Sequence, residues 1–129
     1  MSKDISKLKK QVWTLVSEYI RHKYAVNGID TCYTCGVQKP IKEMQCGHGI
    51  GGRGNAIIFD EDLLRPQCYS CNIMKYGNYD VFHAKLIAEH GLAWMKKKWA
   101  LAKTTKQFTV TELTALKEHY KNLLKDYEK

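Results

Sequence analysis

The sequence predicts an α+β domain in which helices flank a short-stranded central segment that is stapled by a metal ion. Apolar residues recur at helical spacing near both ends of the 129-residue chain. Two Cys-x-x-Cys pairs bracket the centre and can supply four thiolates to one tetrahedral zinc: Cys32, Cys35, Cys68 and Cys71. The length fits one domain, which we divide into an N-terminal helix, a zinc-bound core and basic C-terminal helices at residues 1–28, 29–91 and 92–129.

The first helix is predicted over residues 4–26. Apolar side chains recur there every three or four residues and share one face: Ile5, Leu8, Val12, Leu15 and Tyr19. Asn27-Gly28 then supplies the left-handed conformation that commonly ends a helix.

Two short strands are predicted between the cysteine pairs. Residues 44–48 form the first strand, and the apolar run at residues 56–59 forms its partner. Arg53 lies in the glycine-rich connection, where it is either a phosphate contact or a solvated loop residue. Residues 67–76 then carry the second cysteine pair into a short helix.

Three further helices are predicted after the second cysteine pair. Asp80 caps a helix that ends near Glu89, and residues 92–103 form the next. Thr109 and Glu112 have the spacing of a capping box and begin the last helix. Because its apolar rhythm matches that of the first helix, we expect the two terminal helices to pair, either within the chain or across a homodimer. The alternative is that each helix packs separately on the zinc-bound core.

Charge favours a polyanionic partner. The net charge is +8, and the excess of Lys and Arg lies in residues 1–28 and 92–129, whereas the centre is nearly neutral. DNA is the partner that we expect, although a solubilising lysine surface would give the same composition. The candidate phosphate contacts are Arg53, Lys96, Lys97 and Lys98. Trp94 and Trp99 either belong to the core or stack on bases.

Location is indicated by what the sequence lacks. Residues 1–10 contain no apolar run of the kind found in signal peptides. No apolar stretch is long enough to span a membrane, so no membrane association is expected. Five cysteines in this context fit a reducing compartment, where thiols bind metal rather than pair.

One histidine lies between the cysteine pairs, where it can act as a general base. Hydrolysis of a phosphodiester needs a group that takes a proton from water and a cation that stabilises the leaving oxygen. His48 suits the first role because the ordinary pKa of histidine is about 6.5. Asn72, directly after the last cysteine, can ligate the cation. Alternatively, His48 is a buried structural histidine or a further candidate for the zinc site.

Four segments in this order resemble the zinc-bearing HNH (ββα-metal) nucleases. They read Cys-x-x-Cys, Gly-His, Phe-Asp-Glu-Asp-Leu and Gln-Cys-x-x-Cys-Asn. The resemblance is closer to the phage NinG/Rap recombination proteins and covers about residues 30–91. It implies a zinc-stapled ββα-metal core and an endonuclease of branched or recombination-intermediate DNA, located in the cytoplasm of a bacterial or phage-infected cell.

The resemblance also implies roles for individual residues. His48 would be the general base, Asp62 would occupy the place of the asparagine that orients it, and Asn72 would ligate the catalytic Mg²⁺ or Mn²⁺. Gly47 stands where many HNH enzymes have another metal ligand. The first ligand therefore stays open among Gln45, Glu43 and the acidic residues 60–62.

We therefore expect a divalent-metal-dependent DNA endonuclease with structural zinc. One alternative is a general HNH nicking or double-strand endonuclease. The other is a non-catalytic, zinc-containing DNA-binding module.

Overall fold

The computed structural model describes residues 3–52 and 54–127. Its α-helices are α1 (Lys3–Tyr24), α2 (Tyr79–His90), α3 (Leu92–Ala102) and α4 (Val110–Leu124). Four short strands pair as two antiparallel hairpins: β1 (Ile29–Thr31) with β2 (Gln38–Pro40), and β3 (Gln45–His48) with β4 (Leu64–Gln67). Arg53, one of the predicted phosphate contacts, lies outside the described residues.

Helices α1 and α4 pack against each other within one chain. Val12, Val16 and Ile20 of α1 are fully buried. They belong to one apolar cluster with Leu113 and Tyr120 of α4. The predicted pairing of the terminal helices within the chain is therefore confirmed, whereas a homodimer stays a prediction.

The buried face of α1 is wider than the predicted seam. Cys46 of β3 and Leu64 of β4 belong to the same apolar cluster as the α1 residues. Helix α1 therefore covers the β3–β4 hairpin as well as α4. The fully buried positions 12, 16 and 20 follow one another at steps of about one helical turn, so they lie on the same face of α1.

The partner of β3 differs from the prediction. Residues 64–67 pair with β3, and His48 lies opposite Leu64. The predicted partner, residues 56–59, forms turns closed by bonds from the Ile57 and Ile58 amides to the Gly54 carbonyl. Ile57 and Ile58 are nevertheless buried, so that apolar run serves the core rather than a strand.

The β1–β2 hairpin was not predicted, and it presents the first cysteine pair. Its turn contains Cys32 and Cys35, and the Gly36 amide donates to the Cys32 carbonyl at 2.9 Å. Gly36 has a φ of +83°, which its lack of a side chain permits. The Tyr33 amide donates to the Pro66 carbonyl at 2.9 Å and joins this hairpin to β4.

Helices α2 and α3 enclose a second apolar cluster, which contains Ile57, Leu63, Phe82, Leu86 and Met95. Trp94 and Trp99 are half-buried against this cluster, in agreement with the core interpretation.

The starts of α2 and α4 differ in how well the sequence predicted them. Asn78, in a left-handed conformation, is the residue that precedes α2. Asp80 lies in the first turn of the helix, so the prediction that it caps α2 is wrong. The capping box of Thr109 and Glu112 at the start of α4 is confirmed. Within the described ranges, no helix combines the length and apolarity needed to cross a membrane.

Candidate active site and cysteine cluster

The two cysteine pairs meet as predicted. The four Sγ atoms of Cys32, Cys35, Cys68 and Cys71 all lie within 4.8 Å of one another. The sulfurs of Cys35 and Cys68 are 3.7 Å apart, and zinc–sulfur bonds of about 2.3 Å in a tetrahedron place sulfurs about 3.8 Å apart. The cluster could therefore bind a zinc ion.

Hydrogen bonds to the sulfurs support this cluster. The Cys71 amide approaches the Cys68 sulfur at 3.5 Å, and the Asn78 side-chain amide donates to the Cys71 sulfur at 3.7 Å. Such outer contacts orient metal ligands and stabilise thiolates. Cys68 and Cys71 are placed by β4 and by the π-helical turn Ser70–Met74 that follows it.

The pKa values of the thiols indicate how a cation would act here. Burial raises the pKa of Cys32, but hydrogen bonds from Thr34 and the backbone outweigh burial and lower it to about 6. A backbone hydrogen bond at Val37 lowers the pKa of Cys35, but burial and the other three cysteines raise it to about 12. Burial also raises the pKa of Cys68, so the cluster favours a thiolate at Cys32 and opposes one at Cys35 and Cys68, and a bound divalent cation would favour their ionisation.

A cleft of about 780 Å³ lies between α1, β3 and the π-helical turn. Gln45, His48 and Asn72 all line it. The structure therefore brings together three of the residues that the sequence singled out for a catalytic site.

His48 ends β3 and faces this cleft while only 8% of its surface is exposed. Its Nε2 lies 3.1 Å from the Ile58 carbonyl oxygen. Because a carbonyl only accepts, a neutral His48 carries its proton on Nε2, and Nδ1 is the basic nitrogen. The ring also stacks on Trp13, with centroids 4.7 Å apart.

Asn72 and Gln45 contact each other in the cleft. The Asn72 Nδ2 donates to the Gln45 Oε1 at 2.7 Å. Each side chain offers a cation only the neutral oxygen of an amide. None of the described residues lining the cleft is Asp or Glu.

The acidic residues 60–62 are engaged by basic and hydroxyl groups. Lys98 Nζ lies 2.7 Å from an Asp60 oxygen and 3.1 Å from an Asp62 oxygen. Glu61 accepts from the Tyr120 hydroxyl at 2.7 Å and pairs with Lys23 at 3.5 Å. Asp62 therefore contacts Lys98, and the role that the resemblance implies for it in orienting His48 stays a prediction.

The predicted lysine run divides into two kinds of residue. Lys96 and Lys97 are exposed, whereas Lys98 is mostly covered and held by the two aspartates. Their contact with DNA stays a prediction, and Lys98 would have to break its ion pairs to make it.

Gly47 lies in β3 just before His48, and its backbone approaches Gln67 closely. A β-carbon at this position would collide with the Gln67 side-chain amide. The fully buried Gln67 donates to the Gly77 carbonyl and to the Thr34 hydroxyl, which in turn contacts the Cys32 sulfur. Any side chain at position 47, metal-binding or not, would therefore require Gln67 to leave its present position.

Three residues of α1 line the cleft although the sequence analysis gave them no role in the site: Trp13, Ser17 and Arg21. They recur every four residues, so helical periodicity could have placed them on one face. Arg21 donates through Nη1 to the Ile41 carbonyl. Burial raises the pKa of Asp30 to about 6, and the charge of Arg21 acts in the opposite direction.

The comparisons with known proteins bear on the whole chain. The family model described as bacteriophage lambda NinG protein matches residues 1–129. Neither the curated proteins nor the solved structures gave a match. Because the family match spans the full printed sequence, the chain belongs to the NinG family of phage proteins.

Proposed function

We propose that this protein is a divalent-metal-dependent DNA endonuclease that acts on branched or recombination-intermediate DNA. Membership of the NinG family suggests a phage recombination-related function. The single observation that supports nuclease chemistry best is the convergence of Gln45, His48 and Asn72 in one cleft. β3, β4 and the π-helical turn would then be the strand, strand and helix of an HNH-type core.

In this proposal His48 is the general base. The Ile58 carbonyl orients the imidazole through Nε2, and Trp13 supports one ring face. The imidazole would take the proton from the attacking water, a contribution typically worth about 10²–10⁴ in rate. The Arg21 side chain in the same cleft would bind the phosphate that is attacked.

The fit of the cleft to a hard cation is partial. Mg²⁺ is usually bound through one or two carboxylates together with substrate phosphates. The amide oxygens of Asn72 and Gln45 would hold it here, so the negative charge would have to come from the DNA. A cation bound in this way would stabilise the charge on the leaving oxygen.

A described cleft lining without Asp or Glu also favours a second candidate function, a zinc-containing DNA-binding module without catalysis. Such a module would use the cleft to hold DNA and would not cleave it. The two candidates differ in one measurable property, which is cleavage that depends on His48.

A plasmid-nicking assay with Mg²⁺ or Mn²⁺ tests the proposal. His48→Ala should lower the cleavage rate at least about 100-fold while DNA affinity is retained, because a base acts only in the chemical step. The matched control is His119→Ala, since His119 is exposed on α4 and lies outside the cleft lining. Cleavage by His48→Ala at the wild-type rate would contradict the assignment, and no cleavage by wild type would favour the binding module.

The substrate class is tested separately with linear, nicked, forked and four-way DNA of matched sequence. The proposal expects faster cleavage of the forked and four-way substrates. Equal rates on all four would instead indicate a general HNH nicking or double-strand enzyme.

A further inference from the structure

One face of α1 borders two neighbouring cavities. The first is the candidate active-site cleft. The second, of about 560 Å³, is lined by Ile58 and by residues of α1: Ser6, Lys9, Lys10, Trp13 and Thr14. Trp13 lines both cavities and also stacks on His48. The two cavities therefore share Trp13 as a wall beside the proposed base.

The α1 residues that line these cavities form one stripe. Their positions step by three or four residues, as neighbours on one helix face do: Ser6, Lys10, Trp13, Ser17 and Arg21. This stripe borders the apolar face at positions 12, 16 and 20, which packs on α4 and the hairpin, and the half-buried Lys9 and Trp13 lie where the two meet. We call it the α1 furrow, defined by Ser6, Lys9, Lys10, Trp13, Ser17 and Arg21.

The charge of the furrow is positive. Its ionisable residues are Lys9, Lys10 and Arg21, and none of the described residues lining the second cavity is acidic. Lys10 is exposed and Lys9 is half-buried. Over the described ranges, the ion pairs of the protein involve other cations, among them Lys23, Lys98 and Lys106. The two furrow lysines are thus available to an external anion.

The length of the furrow suits a repeating anion. From Lys10 to Arg21 the helix rises about 17 Å, which exceeds the spacing of neighbouring phosphates in one DNA strand, so basic groups at its two ends would contact different phosphates. The hydroxyl of Ser17 and the indole of Trp13 lie between these two ends. A polyanion with evenly spaced charges would therefore meet basic groups at both ends of the stripe.

We propose that the α1 furrow binds the sugar–phosphate backbone of the DNA strand that leads to His48. This inference rests on the proposed function in taking DNA as the ligand, but it does not require cleavage. Lys9 and Lys10 would neutralise phosphates at a distance from the site, and Arg21 would do so within it. The furrow would thus position the strand and set its direction through the cleft.

The test is equilibrium binding of a fluorescent DNA duplex by the full chain, without divalent cations, between 50 and 200 mM salt. The log–log slope of affinity against salt is about −0.9 for each phosphate neutralised. The double variant Lys9→Gln/Lys10→Gln should flatten that slope by about 1.8, whereas Lys9→Arg/Lys10→Arg should keep the wild-type slope. The matched control is Lys7→Gln/Lys103→Gln, which removes the same charge from two exposed positions outside the furrow.

Flattening in the furrow variant alone, with folding confirmed by circular dichroism, supports the inference. Equal slopes for the furrow and control variants overturn it, even when the protein binds DNA and His48-dependent cleavage is observed. Failure of wild type to bind any DNA overturns the proposed function and this inference together. If the wild type binds DNA through the furrow but does not cleave it, only the nuclease proposal is overturned.

Discussion

Asn72 and Gln45 form the polar contact at the centre of the cleft, and their neutrality limits how well a cation can be held. Replacing Gln45 by Glu keeps its size and its acceptor for the Asn72 amide but adds a negative charge. We expect Gln45→Glu to lower the Mg²⁺ or Mn²⁺ concentration for half-maximal nicking about ten-fold, because charge on the ligand strengthens hard-cation binding. Asn72→Ala should raise that concentration.

Glu43 provides the control for this metal titration. It was a candidate for the first ligand, and in the structure it lies in the turn Ile41–Glu43 outside the cleft lining. Glu43→Gln should leave the metal requirement unchanged. A rise in the requirement for Glu43→Gln, with no effect of Gln45→Glu, would assign the ligand to Glu43 instead.

Gly47 is fixed by packing against Gln67, which gives a second prediction at the level of single residues. In Gly47→Ala the new methyl group would displace the Gln67 amide from its bonds to Thr34 and Gly77. Overpacking of this kind costs about 1–3 kcal/mol, and the loss of free energy of unfolding should appear in urea denaturation.

Gly54→Ala is the matched control for that measurement. The nearest atom to a β-carbon at position 54 is a backbone oxygen at 3.9 Å, an ordinary contact. Its midpoint of denaturation should shift much less than that of Gly47→Ala. Equal midpoints for the two variants would show that Gln67 can move aside at little cost.

At the level of elements, the long helices and β3 were predictable and the other strands were not. Apolar periodicity and the cap at Thr109 predict α1 and α4, because both signals are local. The strand β4 contains Pro66, which argues against a central strand, and it is tolerated because the β3–β4 sheet has only two strands. The run at residues 56–59 resembled a strand because buried turns can be equally apolar.

The candidate site was predicted to a similar extent. Gln45, His48 and Asn72 were found because they adjoin the cysteine motifs in the sequence. Trp13 and Arg21 reach the cleft only through the packing of α1 on the hairpin, a long-range contact that no local pattern shows. The contact of Asp62 with Lys98 could not be predicted for the same reason, since Lys98 lies on α3.

The pairing of α1 with α4 gives a prediction for an element. Leu113 is fully buried in the cluster that joins these helices. Leu113→Ala should lower the free energy of unfolding by about 2–5 kcal/mol through lost burial and the cavity left behind.

Val110→Ala on the same helix is the control, because 47% of Val110 is exposed. Surface changes of this kind usually stay within about 0.5 kcal/mol. Comparable losses in both variants, measured by denaturant titration, would contradict the packing of α4 on α1. Light scattering of the wild type would show independently whether a homodimer forms.

In the whole molecule, two polar centres connect the elements. The acidic residues 60–62 join three helices to the core, through Lys23 on α1, Lys98 on α3 and Tyr120 on α4. The cysteine cluster joins the β1–β2 hairpin to β4 and the π-helical turn. Because the π-helical turn also carries Asn72, the cluster and the cleft share one support.

Zinc binding by the cluster is the prediction for the whole molecule. Elemental analysis of the purified protein should find about one zinc per chain, held by the four cysteines. Cys32→Ser/Cys71→Ser should lose the metal and the packing of both hairpins, because the free energy of metal binding contributes to folding. A chelator should lower the melting temperature of wild type in the same way.

Cys46 supplies the control, since it is buried in the α1–α4 cluster and is not one of the four clustered thiols. Cys46→Ala should therefore keep its zinc even if the core is slightly loosened by the lost sulfur. Zinc retained at one per chain in the Cys32/Cys71 variant would contradict the assignment. Zinc lost from Cys46→Ala would place the metal at β3 instead, beside His48. The position of the zinc thus decides whether the cleft is supported by a metal or contains one.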